Sequence, residues 1–222
     1  MIFFFADNHY GQHPGRVLFE HLPEELRKNI RFCEDDWRLL ESGVWEPECS
    51  LLILNMIGAT CGVPHPGEGA EKALRAYCAR GGNILLLHGS SAAFWQWPWW
   101  RKLCGLRWVR PGDPDGVLPS VHPHAAYRLE LTSSPHPLTE KLHSFDVPED
   151  EIYTQLAETG PVEVLMTAQV GGEVWPQLFE TRSPAGGRIL SFLPGHIPAV
   201  TALPAFVSTV SILIADLDRP RY

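Results

Sequence analysis

The 222-residue sequence lacks any long apolar run; stretches such as Leu51 to Leu54 and Ile84 to Leu87 fall far short of the roughly 18 residues a membrane-spanning helix needs. It also lacks an excess of base: 18 Lys plus Arg stand against 26 Asp plus Glu, a formal charge of -8. No basic stripe is present to neutralise phosphates, so neither a nucleic-acid partner nor a membrane partner is expected. No basic segment precedes the apolar Met1 to Ala6 and Asp7 follows at once, so no signal peptide is read and the expected setting is cytoplasmic. The five cysteines (Cys33, Cys49, Cys61, Cys78 and Cys104) are odd in number and form no C-x-x-C pair, which speaks against a disulfide framework and a structural zinc site. Most read instead as small buried hydrophobes. With no internal repeat, low-complexity tract or break in composition, residues 1–222 are expected to form one domain.

What the sequence does have is a set of short, mostly apolar runs. Ile2 to Ala6, Ile30 to Cys33, Leu51 to Met56 and Ile84 to Leu87 read as strands buried on both faces, the form that parallel sheets take. Between the first two, Arg16 to Asn29 reads as a helix broken at Pro23. Glu68 to Arg80 places Ala70, Ala73, Leu74, Tyr77 and Cys78 on one helical stripe and ends at Gly81-Gly82. Strand, helix and strand in that order make a right-handed βαβ unit. Tyr127 to Leu131 and Glu163 to Ala168 read as strands, and Gln177 to Thr181 with Arg188 to Leu193 as a hairpin around Pro184-Ala185-Gly186-Gly187. From Leu203, the positions Phe206, Val207, Val210, Leu213, Ile214 and Leu217 keep a helical period. The expected fold is α/β, with a mostly parallel sheet that ends in an antiparallel hairpin.

Five of the eight tryptophans (Trp95, Trp97, Trp99, Trp100 and Trp108) fall in one short region. Such rings serve either as a packing unit over one end of the sheet or, at Trp95 or Trp97, as a wall against a sugar ring.

Ligands in open α/β sheets bind outside the carboxyl ends of the strands, so the residues leaving each buried run are the candidates for chemistry. His9 follows the first strand, His88 the fourth apolar run, and His196 the last strand, which brings three imidazoles toward one edge. Ser90 and Ser91 follow His88; capping of a helix is the expected role, since the turn does not match G-x-S-x-G and a nucleophilic serine would need a positioned base. Asp150-Glu151 is read as acidic loop, with Glu151 able to take a proton or bind metal and Tyr153 close behind. His122-Pro123-His124 has a metal-compatible spacing but reads as loop; His136 lies in a second His-Pro step.

Several of these segments together carry a family resemblance. Gly81-Gly82-Asn83-Ile84-Leu85-Leu86-Leu87-His88-Gly89-Ser90, then Phe94, Trp97 and Leu103-Cys104-Gly105, resemble the trehalose-utilisation ThuA-like proteins. So do Ser134-Pro135-His136-Pro137-Leu138-Thr139, Asp150-Glu151-Ile152-Tyr153, Gly186-Gly187-Arg188-Ile189 and Leu193-Pro194-Gly195-His196. The likeness covers about residues 80 to 217 in motif and the rest in pattern only. It implies a class I glutamine amidotransferase-like fold, a flavodoxin-like three-layer sandwich. In that superfamily a nucleophilic cysteine sits on the elbow that His88 occupies here, so glutamine hydrolysis through a thiolate is not expected. His196 matches the family's later histidine.

The resulting expectation is an enzyme of trehalose or related sugar metabolism in which His88, His196 and Glu151 do acid/base work. Trp97, Trp95, Ser90, Tyr153 and His136 would contact a small-molecule sugar, and a divalent metal such as zinc or manganese could assist. A non-catalytic sugar-binding or assembly module of the same fold is the alternative. Homo-oligomer formation and the recruitment of His9, His122 and His124 are left open.

Overall fold

The computed structural model describes residues 1–58 and 62–218. Its strands are β1 (Ile2–Ala6), β2 (Ile30–Glu34), β3 (Leu51–Asn55), β4 (Asn83–Leu87), β5 (Leu106–Arg107), β6 (His124–Leu131), β7 (Phe145–Glu151), β8 (Ala157–Glu158), β9 (Glu163–Val170), β10 (Glu173–Arg182) and β11 (Arg188–Phe192). Its α-helices are α1 (Pro14–His21), α2 (Glu24–Arg27), α3 (Arg38–Ser42), α4 (Glu68–Ala79), α5 (Pro98–Arg101), α6 (Pro198–Thr201) and α7 (Pro204–Leu217).

Nine strands form one sheet in the order β2-β1-β3-β4-β11-β10-β9-β6-β7, and β5 pairs with β8 separately. The first five are parallel and the remaining four continue antiparallel. The antiparallel part is thus nearly half the sheet, where the sequence pattern led us to expect a terminal hairpin. The difference lies in β6 and β9, whose alternation identifies strands but not their partners, and in β7, which the sequence did not mark as a strand. Asp150 and Glu151 end β7 and are not in a loop.

Every residue of β1, β3 and β4 is buried because helices cover both faces of the parallel half. Ile2, Phe4 and Ala6 pack with Leu18 of α1 and with Val210, Leu213 and Ile214 of α7. Phe3 and Phe5 point the other way, onto Leu40 of α3, Trp45, and Leu74 and Tyr77 of α4. Each fully buried side chain of this kind contributes about 1.5 to 3 kcal/mol of transfer free energy. The stripe read for α4 is the buried set, and its chain leaves through Gly81 at φ +79°. Cys49, Cys78 and Cys104 are buried. Burial pushes the Cys49 thiol up to about 11 and that of Cys78 to about 12, so both stay protonated as packing groups. Cys33 is partly exposed, and Cys61 lies outside the described residues.

The chain order reverses between β1 and β3, since β1 leads to β2 on one side and β3 starts the other side. The loops leaving those two strands therefore diverge and open a crevice at the carboxyl edge of the sheet. No helix of the described residues is long and apolar enough to cross a membrane.

Candidate functional site

A pocket of about 220 Å³ occupies this crevice. His9 and Tyr10 reach it from the exit of β1, Ile57 from the exit of β3, and His196 from the loop after β11. Trp108, Arg110, His122, Glu151 and Tyr153 close it from the antiparallel side. His88, at the exit of β4, lies beneath it and is 1% exposed.

The three strand-exit histidines converge. His9 Nε2 stands 2.9 Å from His196 Nδ1, and His196 Nδ1 stands 3.4 Å from His88 Nε2. The His88 ring is fixed from its other side, where Nδ1–H donates to the Leu193 carbonyl at 2.9 Å. A carbonyl can only accept, so that nitrogen carries the proton and, in the neutral ring, Nε2 turns a lone pair toward the cluster. The Tyr153 hydroxyl is 2.9 Å from the same Nε2. Burial, reinforced by mutual repulsion among the rings, pushes the His9 imidazole down to about 2 and that of His196 to about 4, so both are uncharged at neutral pH.

The local backbone reinforces this arrangement. His9 (φ 48°), Tyr10 (φ 58°) and His88 (φ 50°) all adopt the left-handed region, which costs a side-chain-bearing residue about 1 to 2 kcal/mol each. Such strain persists where the surroundings over-determine it. Asp7 Oδ2 accepts the amides of Ile57 (2.8 Å) and Gly58 (3.1 Å), binding the two diverging loops together, while Oδ1 lies 3.9 Å from His9 Nδ1. Burial raises the Asp7 carboxyl to about 6 against the pull of those amides.

Glu151 connects two histidine groups. Its Oε2 lies 3.3 Å from His196 Nδ1 and 3.5 Å from His88 Nε2, whereas Oε1 lies 3.0 Å from His122 Nδ1 and 3.7 Å from His124 Nε2. Burial pushes its carboxyl up, but the hydrogen bond and charge that His88 supplies when protonated, with the charge of His196 and His122 in the same state, outweigh it and hold the group below the usual value. Its neighbour Asp150 is 1% exposed and accepts the backbone N–H groups of Gly195 (2.8 Å) and His196 (3.2 Å). The end of β7 is thereby fastened to the turn that carries His196.

The other residues singled out in the sequence divide. Tyr153 is in the site, its ring stacked on Trp108 at 4.3 Å. Ser90 is fully buried and neither caps a helix nor faces the pocket; its hydroxyl lies 2.8 Å from the Leu54 carbonyl and 2.6 Å from that of Leu87 and accepts the Met56 amide, tying the ends of β3 and β4 together. Trp97 is buried between Phe94 (4.2 Å) and Trp99 (5.9 Å) in the core cluster, so it offers no face to a ligand. Trp95 stands behind Arg110, 6.0 Å from its guanidinium, and does not line the pocket. His136 bonds Glu180 at 3.2 Å beside Arg188, at the opposite end of β11 from His196. Of the tryptophans in that region it is Trp108 that lines the pocket, and not Trp97 or Trp95 as expected. Arg110, anchored on the carbonyls of Ile57 and Gly58, is the one fixed cation among the described lining residues. No sequence signal marked it.

The family model for trehalose utilisation, ThuA, matches residues 51–211. The chain belongs to the ThuA family. Solved structures agree: a ThuA-like protein from Parabacteroides merdae superposes with a TM-score of 0.76 at 20% identity, covering 98% of this chain and 90% of that one. A ThuA-like protein from Bacteroides uniformis gives 0.71 at 16% identity, covering 98% and 91%. A Salmonella typhimurium protein described as cytoplasmic gives 0.65 at 13% identity, covering 97% and 98%. Among curated proteins nothing matches. Membership of a family described by trehalose utilisation supports a role connected with carbohydrate metabolism for this ThuA protein.

Proposed function

We propose that the protein is an enzyme of carbohydrate metabolism that binds a sugar-class polyol in the crevice and acts on it with the help of a divalent metal ion held by His9, His88 and His196. The observation that carries this reading is the convergence of three imidazole nitrogens within 4.8 Å of one another, with the His88 tautomer set by Leu193. Tetrahedral ligands at 2.0 to 2.1 Å from zinc lie about 3.3 to 3.4 Å from each other. Among the three imidazole nitrogens His196–His88 (3.4 Å) matches that spacing and His9–His196 (2.9 Å) is shorter, while the Glu151 carboxylate stands at 3.3 Å from His196 and 3.5 Å from His88. Three imidazole donors with a carboxylate beside them suit zinc or manganese.

When bound, such an ion polarises a substrate oxygen or lowers the pKa of a water. The chain's own residues supply the rest. Trp108, braced by Tyr153, presents an apolar face to a sugar ring, the role expected of Trp97 or Trp95. Glu151 accepts a proton from a hydroxyl, or from carbon beside a carbonyl, and Arg110 holds an oxygen that gains negative charge. His88 in place of a cysteine, with no cysteine among the described lining residues, argues against amidotransfer. The strand order β2-β1-β3-β4-β11 with helices on both faces supports a flavodoxin-like reading of the parallel half. A cytoplasmic setting belongs to this reading and draws on the Salmonella relative.

The test is elemental analysis of tag-free protein purified without added metal or chelator, alongside His88→Ala and His196→Ala. At least about one equivalent of a divalent metal is expected, with about one fewer in each variant. Protein that holds no metal and takes up none on dialysis against zinc or manganese would overturn the metal reading and leave a sugar-binding module as the better account.

A further inference from the structure

The outer pair of histidines has no part in the function proposed above, and its geometry is as organised as that of the inner three. His122 and His124 are two residues apart, His124 opening β6 and His122 just before it, and both rings face Glu151 Oε1. That backbone is locked to β7 and its continuation: the Thr154 amide donates to Val121 at 2.9 Å, the Ile152 amide donates to Pro123 at 3.0 Å, and His124 is the register partner of Glu151. The His122 ring is held against Trp108 at 5.1 Å. Three ligand atoms, from His122, His124 and Glu151, lie within 4.8 Å of one another. The histidine side chains are 48% and 54% exposed, so this group is open to solvent where the inner one is covered.

We propose that Glu151 is a bridging carboxylate and that the protein binds a second divalent cation on His122, His124 and Glu151 Oε1. The two oxygens of Glu151 already face different histidine groups, Oε2 the inner one and Oε1 the outer, and the His124 ring lies 6.1 Å from that of His196. One carboxylate spanning two imidazole-rich groups is the donor arrangement of a two-metal centre, whose ions sit about 3.5 to 4 Å apart. A plain ion pair accounts for His122 at 3.0 Å. It does not account for a second imidazole, His124, at 3.7 Å from the same oxygen and in register with Glu151. With only two protein ligands besides the shared carboxylate, the outer ion keeps positions open for water or for substrate oxygens. Vicinal hydroxyls of a polyol fit such positions, so the outer ion is the one that meets substrate first. The proposal rests on the inner site only through Glu151.

The test is calorimetric titration of metal-free protein with manganese(II) alone, with electron paramagnetic resonance of the loaded protein, on wild type and on a His122→Ala/His124→Ala double variant. Because both side chains are half exposed, the double variant is expected to fold, and circular dichroism checks this. Two equivalents and a spin-coupled signal in wild type, falling to one equivalent and an isolated-ion signal in the double variant, support the proposal. A single equivalent in both proteins overturns it while leaving the inner site intact. Two equivalents in both overturn it by locating the second ion elsewhere. No binding to either overturns it together with the inner metal site.

Discussion

Removing the Asp150 carboxylate should cost the protein both stability and the alignment of His196. The carboxylate is buried and accepts two backbone N–H groups, at 2.8 and 3.2 Å, from the turn Gly195-His196. In Asp150→Ala both donors lose their acceptor. A buried donor left unpaired costs about 1 to 3 kcal/mol, so the pair costs about 2 to 6 kcal/mol. Part of this is offset because burial already disfavours the charged carboxylate, raising its pKa against the pull of His88 and the two amides. We therefore expect the lower half of the range, about 2 to 4 kcal/mol out of a total near 5 to 15 kcal/mol. For a chain of this size that lowers Tm by about 5 to 15 °C. Urea unfolding followed by tryptophan fluorescence reads the loss directly. Asp150→Asn keeps one acceptor but turns an NH2 group toward the second amide, so it should recover less than half the difference. Loss of the tether should also weaken manganese binding by about 10- to 100-fold, the usual effect of removing a group that orients a metal ligand. Unfolding within about 0.5 kcal/mol of wild type, with unchanged metal affinity, would refute the view that β7 positions His196.

Two further outcomes follow from the loops and the far end of the sheet. Gly58 has φ +60°, and a Cβ there would lie 2.1 Å from the Ala93 carbonyl oxygen, a backbone atom that cannot rotate away. Gly58→Ala should lose about 3 kcal/mol or more, whereas Gly62→Ala, at φ +72° with nothing within 4 Å, should lose only the left-handed penalty of about 1 to 2 kcal/mol; equal losses in denaturant would contradict the clash argument. Asp216 meets Arg188 at 2.8 Å and Lys141 at 3.2 Å; burial raises its carboxyl, but these partners outweigh that and hold it below its usual value. A carboxyl depressed in the folded state stabilises fully above its unfolded pKa of about 3.9, and that contribution is lost as pH falls through the folded value. Asp216→Asn should therefore be less stable than wild type at pH 7 and show a shallower fall in Tm below about pH 4, and parallel curves for the two proteins would discount the pair.

The parallel half of the fold was legible because its strands are continuous apolar runs and α4 carries its stripe without interruption. In the antiparallel half β6, β9 and the β10–β11 hairpin were also legible, but β7 was not, and its composition shows why. Phe145-Asp146-Val147-Pro148-Glu149-Asp150-Glu151 contains a proline and four acids, which propensity counts against a strand. At the edge of the sheet the missing proline N–H costs little and exposed charges protect against edge pairing. In the site, His9, His88 and His196 were readable from the rule that parallel strands deliver their exits to one edge. Trp108 and Trp97 were not distinguishable, because ring density says that rings pack somewhere but carries no information on which face meets solvent. His136 belongs to a motif of the family resemblance, yet its ring serves the Glu180–Arg188 pair at the other end of β11. A motif can mark a turn whose work is structural.

The distribution of ligands between the two halves has a consequence for how the site forms. His9, His88 and His196 all leave parallel strands, where the sheet is covered on both faces and the backbone is held in left-handed turns by its neighbours. Glu151 and His124 belong to the edge pair β6–β7, with His122 just before β6; there the residues alternate between buried and exposed and one strand has no partner on its outer side. Local opening is cheapest at such an edge. When the edge frays, Glu151 and the Asp150 tether of the His196 turn are released together, while His9 and His88 stay with the parallel strands. A metal ion or substrate that contacts Glu151 binds only the docked form and so stabilises it in proportion to ligand concentration, by about 2.7 kcal/mol at a hundredfold excess over Kd. Hydrogen exchange should then slow in β6 and β7 on binding while that of β1, β3 and β4, already protected by the core, stays the same; uniform protection across all strands would show instead that the two halves open as one unit.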